Sequence, residues 1–338
     1  MIKGENSMKA TLVLVILFAL VTFSTAQKVT IKFATLALEG STWMEVMNDF
    51  AKEVQNKTGG AVKFKIYSGG RQGDEKDVLR KIRINQLHSA GFTGVGLGAI
   101  LPEVRVLESP FLFKNHREVD YINELFFDRF AKGFEKKGFI LLGWAEVGFV
   151  YVYTNTAVKT IDDFKGVKMW MWEGDPLAEH TFRAFGLSPI PLSVTDVLTS
   201  LQTGLIDAVY VAPLACVGLQ WFTRVKYMVR PHLTNAIGAV LVSKRIFKKL
   251  NAEQQEVVKE AGRKYFQKLT ELSRQDNEKS IEVMEKQGIK IIDIKDAATL
   301  KSFDEIGAKT RRELVGILYS NKILEEIENA LKKFRQKE

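Results

Sequence analysis

One long helical pattern constrains the fold of this chain more than any other feature. From Asn251 to about Gln287, apolar residues keep the spacing of an α-helix, and no proline interrupts the run. At 1.5 Å per residue, a helix of this length spans about 55 Å. A lobe of about 150 residues needs no helix so long. We therefore expect this helix to cross two lobes of the protein.

The rest of the chain alternates between strand and helix patterns. A capping box at Thr42 and Glu45 predicts the start of a helix, and Asp175 before Pro176 predicts another. This alternation is typical of an α/β protein, and the absence of a Ser/Gly/Pro-rich linker indicates that the chain crosses between its lobes several times. The predicted strands lie at 29–35, 61–67, 139–153, 168–172, 208–211 and 235–243.

The amino terminus has the pattern of an export signal. Lys3 and Lys9 precede an apolar run at 12–21, and the small residues Ser24 and Ala26 follow it. This order predicts a secretory signal peptide over 1–26, cleaved after Ala26, and a mature periplasmic protein. The alternative is an uncleaved membrane anchor.

Composition and motifs exclude several classes of function. The net charge of +9 is dispersed along the chain, and export argues against a nucleic-acid partner. The single cysteine, Cys216, rules out a disulfide framework, and the four histidines show no metal-binding spacing. Gly94, Gly96 and Gly98 resemble a dinucleotide loop only loosely. We therefore predict no metal, no cofactor and no enzymatic activity.

Six short motifs occur in order along the chain, and the most specific is the helix-to-strand segment 201–208, which reads Leu-Gln-Thr-Gly-Leu-Ile-Asp-Ala. Together the motifs resemble the extracytoplasmic solute-binding proteins of TRAP transporters, the dicarboxylate-type (DctP) group, over nearly all of the mature chain. The other five motifs lie at 50–54, 57–60, 67–73, 110–113 and 161–169.

The resemblance implies a two-lobed periplasmic-binding-protein fold of the type II kind, with a central cleft, hinge strands and a long helix bracing both lobes. It also implies capture of a small ligand by cleft closure and delivery to an integral-membrane permease. We expect lobe I to comprise 27–150 plus 236–265, and lobe II to comprise 151–235 plus 266–338. The oligomeric state is left open.

The sequence departs from this family at positions suited to a carboxylate ligand. The family pattern Gly-Leu-Lys-Ile-Arg ends in an arginine that pairs with a substrate carboxylate, whereas here 166–170 reads Gly-Val-Lys-Met-Trp. Trp170 thus stands at the expected arginine position. A second arginine expected within 148–153 is absent, and aliphatic and aromatic residues replace the polar pair expected at 209–212.

Aromatic residues near strand ends are the main candidates for ligand binding. Trp170 and Trp172 share one face of a strand, and Glu173 follows where open α/β sheets bind ligands. The alternatives are core packing for the rings and a solvated surface for the charged residues. The full candidate set is Trp170, Trp172, Glu173, Tyr210, Trp43, Phe92, Thr93, Phe149, Tyr151 and Arg71.

These observations favour a non-enzymatic binding protein for a hydrophobic or amphipathic organic molecule. One alternative is a carboxylate ligand held by another cation, such as Arg71, or by helix N-termini. A second alternative is an exported lipid or hydrophobe chaperone, or a sensor module, that has no permease partner.

Overall fold

The computed structural model describes residues 28–337 and contains two main β-sheets with helices packed on them. The strands are β1 (Val29–Ala34), β2 (Val62–Tyr67), β3 (Ser89–Thr93), β4 (Phe139–Trp144), β5 (Gly148–Thr154), β6 (Trp170–Trp172), β7 (Ile190–Leu192), β8 (Ala208–Val211), β9 (Tyr227–Ala236), β10 (Gly238–Ser243) and β11 (Lys290–Asp293). The helices are α1 (Thr42–Lys57), α2 (Glu75–Arg83), α3 (Gly94–Ile100), α4 (His116–Lys136), α5 (Pro176–Ala184), α6 (Val197–Thr203), α7 (Pro213–Gly218), α8 (Lys244–Phe247), α9 (Ala252–Lys286), α10 (Ala297–Glu313) and α11 (Asn321–Arg335).

The first lobe is built on a five-stranded sheet in the order β2-β1-β3-β10-β4. Strands β1, β2 and β3 are parallel, and β10 runs antiparallel between β3 and β4. Apolar residues of α1 and of the first half of α9 cover one face, including Phe50 and Phe266, whose ring centroids lie 5.0 Å apart. Helices α2, α3, α4 and α11 pack over the other face. The sheet is therefore buried on both sides, as its apolar strand sequences require.

The second lobe is built on a four-stranded sheet in the order β11-β9-β5-β8. The short parallel pair β6-β7 extends it through a bridge between Met169 and Ala208. Helices α5 and α10 cover one face, and α6, α7 and the second half of α9 cover the other. The carboxyl ends of β6 and β8 both open toward the first lobe, which places the residues that follow them at the cleft.

The chain crosses between the two lobes at adjacent points. Strand β4 leads directly into β5, and β9 leads into β10. The two crossing segments are hydrogen-bonded to each other, since Ala145 N donates to Gly238 O at 2.7 Å and Val147 N donates to Ala236 O at 3.1 Å. These paired segments form the hinge between the lobes, and the expected hinge strands are confirmed.

The long helix α9 braces both lobes. Asn251 and Gln254 form a capping box at its start, and its 35 residues span about 52 Å. Phe266 lies in the core of the first lobe, and Met284 lies in the core of the second. The prediction of a helix that crosses two lobes is therefore confirmed.

The start of α1 differs from the sequence prediction. Ser41, with extended backbone, is the residue before the helix, and its hydroxyl accepts a hydrogen bond from Met44 N at 3.4 Å. Thr42 is already inside the helix, so its hydroxyl is free to donate to Asp276 of α9 at 2.5 Å. The predicted capping box of Thr42 and Glu45 is wrong, because Ser41 provides the cap one residue earlier.

The C-terminal helix packs on the first lobe. The rings of Tyr121 in α4 and Phe334 in α11 stack 4.7 Å apart, and Arg335 pairs with Glu118 at 2.7 Å. The expected division assigns 266–338 to lobe II, and α11 departs from it because its apolar face covers α4. The predicted signal peptide over 1–26 lies outside the described residues.

Candidate functional site

The start of α2 in the first lobe contacts the ends of β6 and β7 in the second. Asp74 caps α2 through Oδ1, which accepts from Glu75 N at 2.6 Å. Its Oδ2 accepts from Trp172 Nε1 and from Ser193 Oγ, both at 3.0 Å and both in the second lobe. The structure therefore describes a closed cleft in which one carboxylate joins the two lobes.

A second contact between the lobes lies beside the first. Lys76, the second residue of α2, donates from Nζ to the carbonyl oxygen of Glu173 at 2.7 Å. The Glu173 side chain itself is exposed. Glu173 therefore contacts the first lobe through its backbone carbonyl group and not through its carboxylate.

Three charged residues, Arg105, Glu108 and Asp175, form a buried cluster between the lobes. Arg105 and Glu108 belong to a 3-10 turn of the first lobe, and Asp175 caps α5 of the second. Arg105 Nε lies 2.7 Å from Glu108 Oε2, and Arg105 Nη2 lies 2.9 Å from Asp175 Oδ2. The side chains of all three are at most 7% exposed. We refer to them as the interlobe charge cluster.

Burial controls the ionisation of this cluster. Burial raises the pKa of Glu108 to about 7, against the opposing effect of the Arg105 guanidinium. Burial also disfavours the charged form of Arg105, but the Asp175 and Glu108 carboxylates outweigh it and raise the pKa of that guanidinium above its usual value. Arg105 is therefore a buried cation that is ion-paired with Asp175 and Glu108, and Glu108 carries its full negative charge only above about pH 7.

Two glycines of α3 make room for the interlobe charge cluster. A Cβ atom at Gly94 would lie 1.8 Å from Glu108 Oε2, and one at Gly98 would lie 2.8 Å from Arg105 Cδ. Any side chain at these positions would displace the buried charges. The alternating glycines of 94–98 thus allow close packing and do not form a nucleotide-binding loop.

Glu75 is a further buried carboxylate, close to the cleft in the first lobe. Its oxygens accept hydrogen bonds from Thr93 N and Gly96 N, both at 2.6 Å, and from Thr93 Oγ1 at 3.0 Å. Burial outweighs these bonds and raises the pKa of Glu75 to about 7. The candidate residue Thr93 is thus held in place by Glu75, at the end of β3 that faces the second lobe.

Aromatic rings of the second lobe form one connected group. The ring centroids of Trp170 lie 5.1 Å from Tyr210, 5.1 Å from Trp221 and 6.1 Å from Trp172. Trp170 is 2% exposed, and its Nε1 donates to Leu192 O at 3.1 Å, so all these contacts lie within the second lobe. Trp172 is only partly buried and reaches the first lobe through Asp74. Of the two tryptophans, Trp172 is the one that contacts both lobes.

Tyr210 connects this aromatic group to the interlobe charge cluster. Its hydroxyl accepts a hydrogen bond from Trp172 N at 3.5 Å, and burial raises its pKa above the usual value. The charges of Asp175 and Arg105 also act on this hydroxyl. The structure therefore brings the candidates Trp170, Trp172 and Tyr210 together.

Phe149 and Tyr151 lie on β5 next to the hinge. The Phe149 ring stacks between His116 at 4.4 Å and His232 at 3.9 Å, and the Tyr151 ring lies edge-on to His232 at 6.2 Å. Both candidates are partly buried. Tyr151 also packs against the core cluster that contains Trp170, whereas Phe149 packs against the first-lobe core.

The remaining candidates are dispersed. Trp43 stacks on Phe33 at 6.0 Å and is partly buried beside the first-lobe core, and Phe92 lies within that core at 2% exposure. Arg71 is exposed on the turn before α2. The role of each candidate in ligand binding stays a prediction.

The residues that join the lobes were not predicted from the sequence, above all Arg105, Glu108, Asp74 and Ser193. Asp175 was assigned only to a helix cap. A usable signal exists for one pair, because Arg105 and Glu108 stand three residues apart among the apolar residues at 104, 106 and 107. Charged residues in such a segment are rarely buried unless they are paired.

Within residues 28–337, no helix combines the length and the hydrophobicity needed to cross a membrane. The same part of the chain contains no group of three or more His, Cys, Asp or Glu side chains placed to hold a metal ion.

Comparison with known proteins decides the family. The family model of DctP, bacterial extracellular solute-binding protein family 7, matches residues 33–313. The chain belongs to this family. It is an extracytoplasmic TRAP solute-binding protein for small ligands, and it is a receptor rather than an enzyme.

Two curated relatives illustrate the similarity in sequence. A solute-binding protein of Verminephrobacter eiseniae is 28% identical over 256 residues, which are 75% of this chain and 76% of that protein. The sialic acid-binding periplasmic protein SiaP of Vibrio cholerae is 22% identical over 286 residues, which are 82% of this chain and 88% of SiaP.

Solved structures share the two-lobed fold. A TRAP periplasmic solute-binding protein from Ralstonia eutropha, with bound (S)-2-acetolactate, has a TM-score of 0.83 at 21% identity and covers 90% of this chain and 99% of its own. One from Ochrobactrum anthropi, with its C-terminus bound in the ligand-binding pocket, has a TM-score of 0.82 at 22% identity and covers 93% of this chain and 98% of its own. The predicted family and fold class are therefore confirmed.

Proposed function

We propose that this protein captures a small hydrophobic or amphipathic organic molecule between its lobes and delivers it to a TRAP-type membrane permease. The observation that carries the proposal is the state of the buried cations. The resemblance to the family places Trp170 where a carboxylate-binding arginine is expected, and Arg105 is already paired with Glu108 and Asp175. Neither position therefore provides an unpaired buried guanidinium for an acidic ligand.

The aromatic side chains support an apolar contact surface. Trp172 and Tyr210 lie at the carboxyl ends of neighbouring strands of the second lobe and are only partly buried. Large rings with one polar atom commonly line small-molecule sites. We propose that these two rings and Thr93 of the first lobe contact the ligand, with Trp170 supporting them from behind.

A carboxylate ligand is the second candidate. Structural relatives include TRAP proteins from Pseudomonas putida with bound D-glucuronate and from a Sulfitobacter species with bound β-D-galacturonate. In this chain such a ligand would need another cation, and Arg71 is an exposed one near the start of α2.

Mass spectrometry of the molecule that co-purifies with the mature protein tests the ligand class directly. A thermal-shift panel complements it, because a ligand present at 100 times its Kd stabilises the folded protein by about 2.7 kcal/mol. We expect this gain with apolar or amphipathic compounds and none with succinate or D-glucuronate. Stabilisation by the acids alone would refute the proposal in favour of the carboxylate candidate.

Delivery to a permease has a separate test. We expect a gene for a TRAP-type membrane protein beside the gene for this chain, and ligand uptake that depends on both. Uptake that is unchanged without the membrane protein would favour an exported chaperone or sensor instead.

A further inference from the structure

The two partners of Arg105 come from different lobes. Glu108 lies three residues along the same turn, and its other oxygen accepts from Ile237 N at the hinge at 2.9 Å. Asp175 belongs to the second lobe, and its Oδ2 contacts Nη2 of Arg105 across the cleft at 2.9 Å. The guanidinium is therefore ion-paired through Nε within the first lobe and hydrogen-bonded through Nη2 across the cleft.

Asp175 is fixed for this contact by its own helix. Its Oδ1 accepts from Leu177 N at 3.1 Å, which caps α5, and this bond turns Oδ2 toward Arg105 at 2.9 Å. Leu177 itself packs into the core of the first lobe. The carboxylate thus enters the first lobe together with the start of α5.

We infer that Asp175 is a specificity-determining residue, whose carboxylate occupies in the closed protein the place at Arg105 that the carboxylate of an acidic ligand would take. A guanidinium between lobes is a strong carboxylate-binding group, because its planar fork matches two carboxylate oxygens. Here the protein supplies that carboxylate itself. The inference rests on the proposed function and adds the residue that excludes acids.

The energetics favour this exclusion. An acidic ligand at Arg105 would have to displace Asp175 and leave a second carboxylate buried without its partner, beside Glu108. Removing one partner of a buried ion pair is far more costly than removing an exposed one. A neutral ligand leaves the pair intact and is free to use the neighbouring rings.

The test removes the charge of Asp175 and keeps its helix cap. Asparagine and serine are both good N-cap residues, so Asp175→Asn and Asp175→Ser should preserve α5. The matched controls are Asp74→Asn and Asp74→Ser, since Asp74 also caps a helix and also joins the lobes but pairs with no arginine among residues 28–337. The probes are acetate, succinate and D-glucuronate, titrated by calorimetry into the mature protein.

We expect the unaltered protein and the Asp74 variants to bind the acids weakly or not at all. Both Asp175 variants should bind at least one of them about tenfold more tightly or better, as expected for a new hydrogen-bonded contact to a charged group. The gain should disappear in the double variant Arg105→Gln/Asp175→Asn, which assigns it to Arg105.

Several results would overturn the inference. These are no gain in either folded Asp175 variant, an equal gain in the Asp74 variants, or a gain that survives Arg105→Gln. Loss of folding in both Asp175 variants would also refute it, because Asp175 would then be a requirement of the fold and not a replaceable carboxylate. These results leave the proposed function standing if the unaltered protein still binds an apolar ligand. Tight binding of acids by the unaltered protein would instead refute both.

Discussion

Substitution of Trp170 tests whether its ring packs in the core of the second lobe or contacts the ligand. Its ring is buried, and its described contacts lie inside the second lobe. We therefore expect Trp170→Ala to lower the free energy of unfolding by about 3–5 kcal/mol, the usual cost of removing a large buried ring. Trp170→Phe should cost less because it retains most of the volume.

Denaturant unfolding measures the change in stability, and calorimetric titration with the identified ligand measures the change in affinity. The variant Trp170→Arg would bury an unpaired charge and should not fold. If Trp170→Ala retained its stability and lost its affinity, the ring would be a ligand contact and its assignment to the core would be wrong.

The raised pKa of Glu75 predicts that the free energy of unfolding depends on pH. Its pKa is raised from 4.5 to about 7 in the folded protein because burial favours the neutral acid. The unfolded chain ionises first as pH rises, so the stabilising effect of protonated Glu75 is complete below about pH 4.5 and is lost as pH rises through 7. We expect this group to lower the free energy of unfolding over that window by at most about 3 kcal/mol.

The comparison protein for this measurement is Glu75→Gln, which does not titrate. The difference in unfolding free energy between the two proteins should change between pH 5 and pH 7 and then level off above about pH 8. A difference that is constant from pH 4 to pH 8 would show that the folded protein does not raise the pKa of Glu75.

At the scale of elements, α9 is anchored to the hinge through Arg274. Its guanidinium contacts Glu146 at 2.6 and 3.0 Å and the exposed Asp120 at 2.6 Å, and the Glu146 side chain is 1% exposed. Arg274→Met would leave Glu146 buried without its cation. We expect a loss of about 3–5 kcal/mol in the free energy of unfolding.

The control is Arg80→Met, which breaks an exposed ion pair with Asp77 and should change stability little. The double variant Arg274→Met/Glu146→Met should recover most of the loss, because no charge is left buried. Chemical denaturation of the four proteins checks both expectations. Equal losses for Arg274→Met and for the double variant would mean that the loss does not come from leaving the Glu146 carboxylate buried without its cation.

Elements with strong local signals could be predicted from the sequence. The helix α9 (Ala252–Lys286) is capped by Asn251 and Gln287, the limits that its pattern predicts, and strand β8 has the predicted bounds 208–211. Contacts across the cleft could not be predicted in the same way. Arg105 and Asp175 are 70 residues apart, and Asp74 and Trp172 are 98 apart, so only the assembled lobes bring them together. The sequence assigned Asp175 to a helix cap, and that local role gave no sign of its second contact with Arg105.

The whole molecule is held closed by side chains and backbone groups of its own. Asp74 accepts from Trp172 and Ser193, Lys76 donates to Glu173, and Arg105 pairs with Asp175. All of these contacts join the two lobes and none requires a ligand. A ligand shifts the equilibrium between open and closed protein only by the difference between its affinities for the two states. The fraction of molecules that are closed without ligand therefore affects the measured Kd.

We therefore expect a measurable closed population in the protein without ligand. Spin labels at Gln55→Cys in the first lobe and Lys165→Cys in the second, in a Cys216→Ser background, report the distance between the lobes by pulsed dipolar spectroscopy. Both label sites are exposed. A short distance that coincides with the ligand-saturated one should be present before any ligand is added.

Asp74→Ser should reduce that closed population, because serine keeps the helix cap but is too short to bridge to Trp172. The same variant should weaken the ligand affinity in proportion. A single long distance without ligand, unchanged by Asp74→Ser, would show that the contacts between the lobes form only after the ligand has bound.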